Sequence, residues 1–177
     1  MSARCSEADL MIIRPERPSD IDAIRSITTA AFVAVPQSRQ TEAAVVDALR
    51  SAGALAVSLV AVDDSGEVVG HVAVSPLTVD GRSDCGWYGG GPLSVRPDRQ
   101  SRGIGTALAR AAGERLAALG ARGCVIVGEP GYYRRFGAVT GSAVLLPGVP
   151  AENVLVLAPD GSIPSGEVAF HPAYTAT

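Results

Sequence analysis

Apolar residues recur along this chain with two distinct periods. Ile21, Ile24, Ile27 and Ala31 share one helical face. The Ser19-Asp20-Ile21-Asp22 stretch ahead of them resembles a capping box, with aspartate in place of the usual glutamate. Val35-Pro36-Gln37-Ser38 reads as a break, and Val45, Val46 and Leu49 mark a second helix over 42–51 that ends at Gly53. The pattern then shortens. Ile12 and Ile13 suggest a first strand, and two further strands are predicted over 55–62 and 68–75. Asp63-Asp64-Ser65-Gly66 joins those two as a hairpin. Asp80-Gly81 is a second turn, and a strand over 88–95 is interrupted by Gly89-Gly90-Gly91.

Helical spacing returns at Ile104, Leu108, Ala111, Ala112, Leu116 and Leu119, until Gly120 stops it. Gly123–Val127 reads as a buried strand, and Pro130 opens a short helical segment through Phe136. Two or three strands remain, near 143–146, 154–157 and 168–170. Helices and strands in this order make an α+β domain, not the strict alternation of a doubly wound sheet.

The chemistry concentrates where the strand over 88–95 runs into the helix after Gly103. Leu93-Ser94-Val95-Arg96-Pro97-Asp98-Arg99 leads into Gln100-Ser101-Arg102-Gly103-Ile104-Gly105-Thr106. The order places bare backbone N–H groups at a helix N-terminus, a site suited to a pyrophosphate. Gly103 and Gly105 let backbone approach a phosphate closely. The helix end carries about half a positive charge, and Arg102 adds a guanidinium that can fork onto phosphate oxygens. Thr106 offers a hydroxyl in the first turn. A dinucleotide fingerprint would need glycine or alanine at Leu108, and no Gly-Lys-Ser/Thr occurs anywhere. A nucleotide-dependent enzyme of another fold is therefore disfavoured. The bland alternative is a plain tight strand-to-helix turn.

Composition narrows the partners. The chain has 177 residues, 47% hydrophobic and 19% charged, which suits one domain with a real core. The formal net charge of −3 argues against nucleic acid or an anionic membrane as partner. Cys5, Cys85 and Cys124 make an odd set with no Cys-x-x-Cys pair, so neither a disulfide framework nor a zinc site is expected. A reducing, cytoplasmic setting fits. No run is long and apolar enough to span a bilayer. Residues 1–10 read as an N-terminal extension lacking a signal-peptide core, ahead of one domain over 11–177. Met11 offers an alternative start.

The Gln100–Thr106 loop, the element order from Ile12 to Tyr174, and Tyr132-Tyr133-Arg134-Arg135-Phe136-Gly137 together resemble the GNAT superfamily of N-acetyltransferases. Gly91-Pro92-Leu93 and the Tyr-Tyr-x-Arg-Phe-Gly run look more like its YhbS-type branch. Ala138 departs from the family, which usually has an aromatic after the glycine. The resemblance implies a central mixed, mostly antiparallel twisted sheet flanked by helices. It implies acetyl-coenzyme A as co-substrate, no metal, and transfer to a primary amine by direct attack in a ternary complex. By the same resemblance, Leu93, Ser94 and Val95 offer backbone groups to the pantetheine arm, with the N–H of Ser94 or Leu93 polarising the thioester. Gln100, Ser101, Arg102, Gly103, Ile104, Gly105 and Thr106 hold the pyrophosphate. Tyr133, four residues before Gly137, matches the family's general acid toward sulfur.

The base is less defined. Glu129 follows the strand ending at Val127 and is the candidate, against a reading as a solvated loop carboxylate or a charge for the next helix. His71 reads as a structural histidine and Cys124 as core. His171, near the C-terminus, is a lesser candidate for the border of the acceptor pocket. Phe32 and Gln37, on the break after the first helix, are the acceptor-pocket candidates, and the assembly is expected to be a monomer or homodimer. The rival class is a GNAT-like domain that senses acyl-coenzyme A without transferring it. A tRNA-modifying enzyme of the same fold is disfavoured by the charge.

Overall fold

A computed structural model describes residues 11–141 and 143–177. Residues 1–10, the predicted extension with Cys5, lie outside the described residues. The elements in chain order are β1 (Ile12–Pro15), α1 (Ile21–Phe32), α2 (Glu42–Ser51), β2 (Val57–Val62), β3 (Val68–Val79) and β4 (Trp87–Val95). They continue with α3 (Ile104–Ala118), β5 (Gly123–Val127), α4 (Pro130–Tyr133), β6 (Val139–Thr140), β7 (Val144–Leu145), β8 (Val154–Leu157) and β9 (Gly166–Phe170).

The sheet runs β1-β2-β3-β4-β5-β8-β6, with β9 joining β3 and β7 joining β9. Along that main path every pairing is antiparallel except β4 with β5. That single parallel pair requires a crossover, which α3 supplies. The predicted mixed, mostly antiparallel sheet is what forms.

Alternation along the strands sorts side chains to two faces. Val72 and Val74 meet Ile104, Leu108, Ala112 and Leu116 of α3. Val60, Val62 and Ala73 face the other way, onto Ile24 of α1 and Val46 of α2. Gly70 allows α3 to lie close, since a Cβ there would fall 2.9 Å from Leu108 Cδ1. A third cluster around Trp87, Val125, Val156 and Val168 closes the far end of the sheet.

Some local expectations change. The expected capping box at Ser19 and Asp22 does not form: Ser19 lies within a 3-10 turn over Pro18–Asp20, and the Asp20 carboxylate, at the N-cap position, accepts from Arg14 at 2.7 and 3.0 Å and from the Arg17 N–H at 2.7 Å. A guanidinium from β1 is a stronger partner than an exposed helix amide. The strand over 88–95 is continuous, and its glycines accommodate neighbours: a Cβ on Gly90 would lie 2.8 Å from Cys124 Sγ. β3 runs on to Val79 because β9 pairs with its second half. Leu119 is exposed, since α3 ends one residue earlier. The two-residue β6 carries no readable period and exists only through β8.

Candidate active site

β4 and β5 pair from Trp87–Gly123 to Gly90–Ile126 and then part. The cause lies in β4. Between Val72 and Val74 of β3, β4 passes from Leu93 to Gly90, so Gly91 and Pro92 form a bulge. Gly91 has φ 121°, a conformation that suits glycine. Tyr174, after β9, donates its hydroxyl to the Gly91 carbonyl at 2.6 Å and fastens the bulge.

Beyond the bulge β4 remains bonded to β3, and this settles which amides are free. The Arg96 N–H donates to the Val69 carbonyl at 2.9 Å. In an antiparallel pair the bonded positions alternate, so the Ser94 N–H points to His71 and those of Leu93 and Val95 point into the gap toward β5. The Ser94 side chain is buried, its Oγ donating to Thr28 Oγ1 at 3.2 Å. Of the two amides considered for polarising a carbonyl, Leu93 is the one facing the gap.

The loop over residues 100–106 makes a tight turn into α3. Ser101 and Gly103 take φ of 61° and 83°, and Gly103 caps α3, its carbonyl accepting from Ala107 N–H at 3.0 Å. The amides of Ile104, Gly105 and Thr106 therefore stand in the first turn, without an intrahelical acceptor. Ile104 contributes backbone only, its side chain being core. Gln100 Nε2 donates to the Val95 carbonyl at 3.1 Å, tying the loop to β4. Arg99 pairs with the buried Asp63 at 3.1 Å, and Arg96 with Asp98 and Glu67. Arg102 is exposed beside the helix end. Tyr132 was not among the predicted ligands, yet it reaches this cradle. A Cβ on Gly105 would lie 2.8 Å from its hydroxyl. Arg135 covers its ring at 4.5 Å. The signal was a helical offset: Tyr132 and Arg135 are three apart in the short segment after Pro130.

A cavity of about 600 Å³ opens beside the gap, lined by Gly91 and Leu93, Ile126, Tyr133 and the inner face of α3. Tyr133 ends α4, which begins at Pro130, and its half-buried ring packs against the core and lines the cavity. Burial pushes its phenol up to about 12, with Tyr132 and Cys124 adding to the rise. The group is thus a neutral donor at physiological pH. Burial also pushes the Cys124 thiol up to about 12, which removes it as a nucleophile.

Other expected residues lie elsewhere. Glu129 is exposed at the start of α4 and does not line the cavity. Phe32, half-buried at the end of α1, accepts from Gln40 Nε2 at 2.7 Å through its carbonyl, and Gln37 is exposed on the following loop. Both stand outside the cavity, on the α1–α2 side. His171 Nδ1 accepts from Ala173 N–H at 3.1 Å, capping the turn that carries Tyr174.

His71 is fully buried and bonds through one nitrogen only. Ser58 Oγ lies 2.5 Å from Glu16 and 2.8 Å from His71 Nε2. Glu16 is held ionised by two bonds from Arg50, so Ser58 gives its one proton to Glu16 and His71 donates through Nε2. Nδ1 is left without a partner. The structural reading of His71 fits, with that one unsatisfied atom.

A bulged strand parting from its parallel neighbour, unpaired amides at the start of the next helix and a half-buried phenol fit a group-transfer enzyme of the acyltransferase type. Comparison with known proteins makes the class specific. The acetyltransferase (GNAT) domain family matches residues 55–137. The uncharacterized N-acetyltransferase YhbS of Escherichia coli K12 is 36% identical over 127 residues, 72% of each chain. A crystal structure of YhbS from E. coli with CoA superposes with a TM-score of 0.85 at 30% identity, covering 94% of this chain and 93% of that one. A GNAT family acetyltransferase from Brucella melitensis in complex with acetyl-CoA gives 0.82 at 47% identity, covering 93% and 97%. The chain belongs to the GNAT family of N-acetyltransferases. Among the described residues no cluster of His, Cys, Asp and Glu could hold a metal ion, and no helix is long and apolar enough to cross a membrane.

Proposed function

We propose that this enzyme transfers the acetyl group of acetyl-coenzyme A to a primary amine by direct attack in a ternary complex. The observation that carries the reading is the placement of the Leu93 amide and the Tyr133 phenol on one cavity at the point where β4 and β5 part. The amides of residues 104–106 and Arg102 receive the pyrophosphate, with Gln100, Ser101 and Gly103 shaping the turn. The Leu93 N–H points where a thioester oxygen develops charge, and a fixed amide there lowers the barrier to attack. As the new N–C bond forms and the C–S bond breaks, Tyr133 gives its proton to the leaving sulfur. Glu129 takes the amine proton through water from its position at the end of β5. The acceptor enters from the α1–α2 side past Phe32 and Gln37, in a monomer or homodimer working in the cytoplasm.

Turnover of acetyl-coenzyme A against a panel of small amines and peptide amines tests this reading. Free thiol released only when an amine is present supports it. Binding without turnover across the panel would instead make the chain a sensor of acyl-coenzyme A.

A further inference from the structure

Leu93 and Tyr133 border only one end of the cavity. From there it runs between α3 and the sheet to the start of β5, where Leu116, Ala121, Cys124, Leu157 and Ala158 line it. Gly90 is on the lining too, and Cys124 and Ile126 pack against its bare Cα, where a Cβ would meet them at 2.8 and 3.0 Å. The phosphate loop contributes nothing to this lining, which begins on α3 at Ala109. Gly105 and Leu116 are about 16 Å apart along the helix, so the far reach lies off the path from cradle to Leu93.

The lining decides the kind of occupant. The five residues of the far reach offer aliphatic carbon and one thiol. An ammonium or amide buried there would lose its water without replacement, at a heavy cost. A hydrocarbon chain loses nothing and gains with each methylene buried. Leu93 marks where a thioester carbonyl would sit, and the open space continues from that point. Ile126 to Gly123 covers about 10 Å of strand, the length of a chain of about eight carbons.

We infer that the far reach is an acyl-chain subsite, and that the enzyme takes medium-chain acyl thioesters of coenzyme A as donors alongside acetyl. The inference rests on the proposed placement of the thioester between Leu93 and Tyr133. The reaction is the same transfer: the acyl carbon leaves sulfur for nitrogen, the amine proton passes through water to Glu129 and Tyr133 protonates sulfur.

Calorimetry with acetyl-coenzyme A and octanoyl-coenzyme A, on the full chain, tests it without an acceptor. Octanoyl-coenzyme A should bind at least about tenfold tighter, because its extra methylenes leave water. Ala121→Phe and Ala158→Phe, both on the lining of the far reach, should each shrink that advantage severalfold, with folding checked by melting temperature. Ala121→Leu and Ala158→Leu serve where phenylalanine unfolds the chain. Equal affinity for the two thioesters, or an advantage that survives both plugs, overturns the subsite while leaving acetyl transfer intact. Plugs that weaken both thioesters alike assign the space to the pantetheine arm and also overturn it. If neither thioester binds, the thioester placement itself fails, and the subsite with it.

Discussion

The ring of Tyr133 rests on the backbone of Gly128. A Cβ added at Gly128 would lie 2.6 Å from Cε2 of that ring and 3.2 Å from Cδ2. Gly128 is not needed for an unusual φ; it is needed for this contact. The glycine at the end of β5 therefore sets where the phenol stands in the gap. Gly128→Ala should push the ring aside and lower kcat by about tenfold or more, since small misplacements cost rate steeply. Acetyl-coenzyme A affinity should stay within a few fold. Unchanged kcat in Gly128→Ala would show that the ring position is not limiting.

Tyr133→Phe removes the proton donor and keeps the ring. The expected loss in kcat is ~100- to 10,000-fold with cofactor affinity nearly unchanged. The pKa of about 12 means the phenol stays protonated through the alkaline range. The wild-type rate should thus show no fall attributable to this acid below about pH 10. A change under about threefold in Tyr133→Phe with an authentic acceptor would make the residue a packing group.

Gly103 sits at φ 83° with no neighbour near its missing Cβ. Gly103→Val therefore acts through backbone strain, not crowding. It should abolish most of the melting-temperature rise that acetyl-coenzyme A gives the wild type, since a ligand bound only by the folded state stabilises it. A full shift in the variant would rule out the loop as the phosphate cradle.

Acid should weaken the fold in two stages. Burial holds the His71 pKa below its ordinary value. The unfolded imidazole then binds a proton below about pH 6.5 that the folded one refuses, so stability begins to fall there. Burial would raise the Glu16 pKa, but hydrogen bonds from His71, Arg50 and Ser58 hold it well below the usual carboxylate range. Its contribution is complete above the ordinary glutamate value of 4.5 and is lost as pH drops further. His71→Asn should flatten the melting-temperature slope between about pH 5 and 6.5, whatever it does to the absolute value. A slope equal to that of the wild type would remove His71 from the account.

Phe32 and Gln37 test the acceptor side. Phe32→Ala or Gln37→Ala should raise acceptor KM without altering acetyl-coenzyme A affinity, as expected of loop residues that touch only one substrate. Selectivity that follows changes on the outer face of α3 instead would move the acceptor site.

Much of this was legible along the chain because it is local. The helix beginning at Ile104, the left-handed glycines that bound it and the Asp63–Gly66 turn each depend on neighbours within a few residues. Periodicity and φ preference report such relations directly. Other features depend on pairing between distant segments. Whether Leu93 or Ser94 faces the gap is set by β3 register and by the bulge at Gly91–Pro92, and a shift of one residue would exchange them. The expected capping box at Ser19 and Asp22 gives way to a 3-10 turn whose Asp20 carboxylate binds Arg14, and Glu129 stands outside the cavity lining. β6 and the second half of β3 needed their partners to exist.

By itself the sequence determined the α+β class, the glycine-bounded turn into α3 and the family resemblance, because backbone conformation and apolar period are written in adjacent residues. Only the tertiary structure decided which amide is free, what Gly128 is for, where Tyr132 reaches and how far the cavity extends. Those depend on strands brought together from opposite ends of the chain, where hydrogen-bond alternation and side-chain volume, not local preference, fix the geometry.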